Sequence, residues 1–195
     1  EGLARFESDE GIATGLHLFD PAGKGWNVAE VSDRFKAAPV VLVRWSMRQR
    51  GLIFSRELSH TVKQMTDVRG LRLVPRQQGA GAQRLLDLLL RDACVEPEEV
   101  VLTEPASSEA DAALAIREGR ADATLGLATV AFQYDLAFQP IVDEAFDLLV
   151  DRKSWFEPQF QALIEFAGTA RFRERAAAFP GYEIGTCGKV LFNGL

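Results

Sequence analysis

Apolar and polar positions alternate along the chain in short blocks of two kinds. Compact apolar runs bounded by turn residues predict buried strands. Longer segments with apolar positions three and four apart predict helices. Residues 1–7 predict the tail of a helix, and Gly11-Ile12-Ala13-Thr14-Gly15-Leu16 a short buried strand. Residues 20–27 predict a loop by their turn residues, and residues 28–35 a short helix. Pro39-Val40-Val41-Leu42-Val43-Arg44-Trp45 predicts a strand covered on both faces, and Gly51-Leu52-Ile53-Phe54 a second strand, with Arg48-Gln49-Arg50 between them. A polar stretch over 57–69 holds a short helix near 66–68, and residues 71–74 predict a strand. Gly79-Ala80-Gly81 opens a strong helix over 82–93, its polar residues Arg84, Asp87 and Arg91 at helical spacing among leucines. A strand at 100–102 precedes a helix capped by Ser108 and running to Glu118, with Gly119 at its end. Strands at 121–127 and 146–150 precede helices at 158–166 and 170–179, and the remainder to Leu195 reads as a loosely structured tail.

Strands and helices that alternate in this way give the α/β class. Two short strands end in Gly-Leu after an acidic residue, at Gly15-Leu16 and Gly126-Leu127, an echo that fits two lobes of similar build.

Composition narrows the function classes. The 195 residues are 47% hydrophobic and 26% charged, a globular balance, with a net charge of -6. That charge predicts that this chain does not itself grip nucleic acid, since phosphate binding needs a basic surface. The two cysteines, Cys94 and Cys187, form no CxxC, and His17 and His60 fall into no metal-ligand spacing, so no metal site is expected. No apolar stretch has the length of a membrane span. No GxSxG elbow or recognisable nucleophile context appears, so the chain is expected not to be an enzyme.

The most informative segment runs from Leu73 to Arg84 as strand, glycine-bearing turn and helix start. The first N–H groups of a helix lack intrahelical partners, and its dipole adds positive potential, which suits an anion. Arg76 adds a planar charged fork, Gln77 and Gln78 add neutral donors, and Gly79, Ala80 and Gly81 allow close backbone approach. An ordinary strand-to-helix turn with a solvated arginine is the plainer alternative. Neither a P-loop nor a GxGxxG fingerprint is present. Arg48-Gln49-Arg50 could turn two guanidiniums to a cleft, or be a solvated turn. His17, with Asp20 and Asn27 near it in sequence, could be ligand-facing or structural, and Ser108 could contact ligand or simply cap its helix.

Pro75-Arg76-Gln77-Gln78-Gly79-Ala80-Gly81-Ala82-Gln83 and Arg48-Gln49-Arg50-Gly51-Leu52 carry a resemblance. So do Gly15-Leu16-His17-Leu18-Phe19-Asp20, Asn27, Gly119-Arg120-Ala121-Asp122-Ala123, Phe146-Asp147-Leu148-Leu149-Val150 and Phe179-Pro180-Gly181-Tyr182. In this order they resemble the type II periplasmic-binding-protein-like domain related to molybdate-binding proteins, found in bacterial helix-turn-helix regulators. The resemblance implies two α/β lobes, residues 1–50 with 147–195 and residues 51–146, lacking the family's N-terminal segment. It implies a small anion bound in an interlobe cleft and contacted by the residues named above, and no cofactor. It further implies a cytoplasmic sensor, with a homodimer as its candidate assembly, that reaches DNA only through a separate domain and does not engage membranes. The alternatives are a solute-binding protein of an oxyanion transporter and a domain fused to a molybdopterin-biosynthesis enzyme. Ala80, Ala82 and Gln83 depart from the family's Ser, Thr and Arg, which sets an organic anion beside molybdate or tungstate as ligand.

Overall fold

The computed structural model describes residues 2–22 and 25–195. Glu1, in the expected first helix, and Gly23 and Lys24, in the expected 20–27 loop, lie outside the described residues. The chain divides into two compact units, Glu1–Arg48 with Glu144–Leu195 and Gln49–Asp143. It passes from one to the other within two 15-residue strands, β4 (Val40–Phe54) and β8 (Ala137–Asp151). The earlier elements are α1 (Gly2–Glu7), β1 (Ala13–Leu16), β2 (Phe19–Asp20), β3 (Gly25–Trp26) and α2 (Val28–Arg34).

In the first unit, β1 lies antiparallel to β8, with Leu16 opposite Asp147. β2 and β3 form a two-stranded hairpin in which Phe19 faces Trp26 edge-on at 5.1 Å. Hairpin formation there follows from the aromatic pair, which a reading of 20–27 by turn residues alone overlooks. After β8 come α6 (Arg152–Trp155), α7 (Pro158–Ala167) and α8 (Ala170–Ala177). The expected loose tail is instead ordered as β9 (Tyr182–Glu183) and β10 (Val190–Asn193), both antiparallel to β4. Leu191 and Phe192 pack against the core formed by Phe6, Leu16, Val31, Phe35, Leu42 and Leu149, which holds the chain end to the sheet.

The second unit contains β5 (Arg72–Val74), α3 (Gly81–Asp92), β6 (Val101–Leu102), α4 (Glu109–Arg117), β7 (Ala123–Leu127) and α5 (Ala128–Gln133). Its strands run in the order β4-β7-β5-β6. β5 is parallel to both β6 and β7, while β4 is antiparallel to β7, so the sheet is mixed and the fold α/β. Helix α3 buries Ala82, Leu85 and Leu86, the apolar stripe that its spacing predicts. Ser108 caps α4 by accepting a 3.0 Å hydrogen bond from the Asp111 backbone N–H, and Gly119 beyond its end takes a φ of 70°.

Strand β4 corrects the expectation of two strands separated at Arg48-Gln49-Arg50, for it runs unbroken through them. Each arginine on it meets a carboxylate: Arg44 meets Asp147, Arg48 meets Glu144 and Arg50 meets Glu109. Charges that read as a polar interruption are therefore paired with carboxylates from β8 and α4. Gly51 is no turn residue either. A Cβ there would stand 2.0 Å from the Gln139 carbonyl oxygen, so glycine permits a close backbone approach. Among the described residues no helix is long and apolar enough to cross a membrane.

Candidate functional site

The first unit gathers a polar cluster around two fully buried carboxylates, Glu144 and Asp147. Asn27 organises one side of it. Its φ of 58° lies in the left-handed region that asparagine tolerates better than most residues. Its Oδ1 accepts from the Leu18 N–H at 2.6 Å, and its Nδ2 donates to Asp147 Oδ2 at 2.8 Å and to the carbonyls of Leu16 and Ala145. Arg44 Nε donates to Asp147 Oδ1 at 2.5 Å. Burial pushes the Asp147 carboxyl above the usual carboxylate range, against the opposing pull of Asn27 and Arg44.

Arg48 and His17 converge on Glu144. Arg48 Nη2 donates to Glu144 Oε1, and its guanidinium carbon sits 4.4 Å over the Phe146 ring. His17 Nδ1 lies 3.4 Å from Glu144 Oε2, close enough for an ion pair when protonated, but makes no well-formed hydrogen bond. Gly15 makes room for this arrangement, since a Cβ there would fall 2.5 Å from the Phe146 ring. Among the described residues of this unit, the buried atoms His17 Nδ1, Ser46 Oγ and Arg48 Nε have no hydrogen-bond partner. Buried donors without partners are rare and mark a functional or strained place.

In the second unit Arg76 sits between two helix starts. Its backbone N–H donates to the Gln83 side chain at 2.7 Å, while Nε and Nη2 donate to the carbonyls of Ala106 and Ser107 at 3.1 and 2.9 Å. Arg76 thus braces the turn before α3 against the turn before α4. Gln77, Gln78 and Gly79 are exposed, Ala80 is the N-cap of α3 without a side-chain cap, and Gly81 begins that helix. Asp111 is held below the usual carboxylate range, foremost by the Ser107 hydroxyl, then by Ser108, with the Arg76 charge adding.

The structure therefore brings His17 and Arg48 together, and separately draws Arg76 to the segment preceding Ser108. Gln49 is exposed on β4. The sequence reading missed the carboxylates: Glu144 and Asp147 in the first unit, and in the second Glu109, whose Oε1 accepts from Arg50 at 2.8 Å and Oε2 from the Leu127 N–H at 3.2 Å. The signal was a charged residue inside an otherwise apolar strand, at Arg50 and at Asp147, since such a charge is buried only with a partner. Among the described residues no group of three His, Cys, Asp or Glu side chains could hold a metal ion. Cys94 and Cys187 are free thiols, and burial pushes Cys187 up.

The chain is 27% identical over 179 residues to the uncharacterized protein YvgK of Bacillus subtilis (strain 168), covering 90% of this chain and 58% of that protein's length. Among solved structures, its fold is similar to the CcmR regulatory domain of Synechocystis PCC6803 in complex with 2-PG (TM-score 0.63, 10% identity, 84% of this chain and 75% of that one). It is similar also to PhnD1 of Prochlorococcus marinus (MIT 9301) in complex with methylphosphonate (TM-score 0.62, 10% identity, 94% and 76%). A third likeness is to the effector binding domain of QuiR in complex with shikimate (TM-score 0.60, 9% identity, 89% and 77%). The family model for the PBP (periplasmic binding protein) superfamily domain matches residues 1–168, and the chain belongs to that superfamily.

Proposed function

We propose that this chain is the ligand-binding, sensor part of a bacterial transcriptional regulator, that it takes a small organic anion, and that it catalyses no reaction. The observation that carries this reading is Arg48. Its guanidinium is fixed by Glu144 below and Phe146 beside it, while its buried Nε and the neighbouring His17 Nδ1 remain without hydrogen-bond partners. A preorganised fork of this kind suits a planar or phosphoryl oxygen acceptor. Proteins of the same fold bind 2-PG and shikimate, which supports an organic anion over molybdate or tungstate. In the second unit, Arg76, the turn of Gln77, Gln78, Gly79, Ala80 and Gly81, and Ser108 are a second candidate set of ligand contacts. DNA contact falls to a separate domain, and the site of action is cytoplasmic. A second reading, a solute-binding protein serving a transporter, is favoured by the likeness to PhnD1. A helix-turn-helix encoded ahead of residue 1 supports the first, a signal peptide the second.

Calorimetry tests the reading against 2-PG, shikimate, methylphosphonate, molybdate and tungstate. Arg48→Lys keeps the charge opposite Glu144 but loses the fork, and His17→Gln keeps a polar ring-sized group. Loss of a charged hydrogen-bonding partner costs about 2–4 kcal/mol, roughly 30- to 1,000-fold in affinity, and Arg48→Lys should lie towards the lower end. Melting temperatures near that of the parent establish folding. Unchanged affinity in both folded variants refutes the assignment.

A further inference from the structure

We propose that the outer face of α7 and α8, in the first unit, docks against the β6 edge of a second copy of this chain. The first surface is aromatic and cationic, the second aliphatic and anionic.

Phe156, Leu163 and Phe166 are exposed, Phe156 to 66%. Leu163 and Phe166 stand three residues apart on one face of α7, and Phe156 lies just before that helix. Phe166 meets Phe172 of α8 edge-on at 5.7 Å, and Phe172 meets Trp45 of β4 at 5.6 Å, so the patch is anchored to the sheet. Beside it α8 carries Arg171, Arg173 and Arg175, all exposed. Arg173 donates to the Gly168 carbonyl at 2.9 Å, but no carboxylate of the described residues pairs with any of the three. Their placement works against the helix itself. Arg171 and Arg173 stand in its first turn, opposed by the dipole, and Arg171 and Arg175 repel at a four-residue spacing. Charges that cost the isolated helix and find no carboxylate in their own chain suit an anionic surface outside it.

The β6 edge is such a surface. Among the described residues β6 ends the strand order β4-β7-β5-β6, and its Val101 and Leu102 are 55% and 54% exposed. Glu98 and Glu104 flank them, both exposed, and neither pairs with a cation of the described residues. An apolar sheet edge in water is a liability that association removes. Nucleic acid or an anionic bilayer would match the arginines alone and leave Val101 and Leu102 in water. A second copy covers both patches, and the same contact made twice is the pattern of a two-fold dimer.

Sedimentation equilibrium of the full chain over a range of concentrations tests the contact. The average mass should rise above that of one chain as concentration rises, and fall back as sodium chloride screens the exposed charges. Arg171→Glu/Arg175→Glu and Glu98→Arg/Glu104→Arg each set like charges against one another. Each should weaken self-association about tenfold or more. Mixed in equal amounts, the two variants oppose unlike charges at both contacts and should regain the parental association. All four positions are exposed, so melting temperatures should stay near that of the parent. A parent that remains a monomer overturns the proposal, as does a charge-reversed variant that associates like the parent. Failure of the folded variants to associate when mixed overturns it equally. So does a monomeric parent that binds phosphatidylserine vesicles or duplex DNA and loses that binding in Arg171→Glu/Arg175→Glu, for the arginines would then serve a different anion.

Discussion

The two arginine–glutamate pairs carried by β4 are built with opposite polarity. In the first unit Glu144 is fully buried and Arg48 is the member that reaches outward, 11% exposed. In the second unit Arg50 is sealed and Glu109 reaches outward. Equal chemistry thus presents a positive group in one unit and a negative group in the other. The buried member of each pair carries the larger desolvation cost. It also decides which truncation hurts the fold.

Truncating the outer member removes an ion-pair partner from a fully buried charge, and this should give the largest effects. Arg48→Ala and Glu109→Ala are expected to lose about 3–5 kcal/mol in urea unfolding. Truncating the inner member, by Glu144→Ala or Arg50→Ala, should cost less, because the remaining charge can turn to solvent. Equal costs for all four would break the comparison. A middle effect is expected at Asn27, which serves only the first unit. Asn27→Ala loses a tolerated left-handed backbone and the amide bonds to Leu18 and Asp147, for roughly 2–3 kcal/mol. Asn27→Gly, which keeps the backbone geometry, should recover part of it. In the second unit Ser108→Ala removes one helix cap and should cost about 1 kcal/mol.

The smallest effect separates the units by sign. Asp122 in the second unit is held below the usual aspartate range by hydrogen bonds from Arg72, so its contribution is complete at neutral pH. That contribution is lost as pH falls through the lowered folded value. Asp147 in the first unit is raised by burial, so stability falls as pH rises from the ordinary aspartate value through the raised one. Carboxyl titration by NMR should find Asp122 below and Asp147 above the ordinary value. Both shifts in one direction would contradict the burial argument.

Helices were legible where their signals are local. Ser108, Gly119 and the stripe of α3 stand where spacing put them. The breaks in legibility are all non-local. Arg48, Gln49 and Arg50 read as a turn because the carboxylates that neutralise the two arginines come from residues 59 to 96 positions away. Residues 190–193 read as a tail because the strand they join begins at Val40. The 137–145 part of β8, with Pro140 exposed, has no apolar alternation strong enough to show itself. The candidate site residues divide in the same way. His17, Arg48 and Arg76 carry a recognisable motif context, while Glu109 and Glu144 acquire meaning only from what folds against them.

The way β4 and β8 divide the chain also orders its assembly in time. Residues 49–143 form one uninterrupted stretch whose contacts close within it, whereas the first unit is made of the two chain ends. The Asn27–Asp147 bond spans 120 residues, and β10 returns to β4 across a still longer loop. Closing such separations is slow. On the ribosome, residues 1–48 emerge long before residues 144–195, and Leu3, Phe6, Val31 and Phe35 are without Leu149, Leu191 and Phe192 of their core until those are made. The second unit is therefore the early folding nucleus and the first the late, aggregation-exposed step. Variants of Asn27 or Asp147 should consequently reduce the yield of soluble chain more than their equilibrium stabilities alone would suggest.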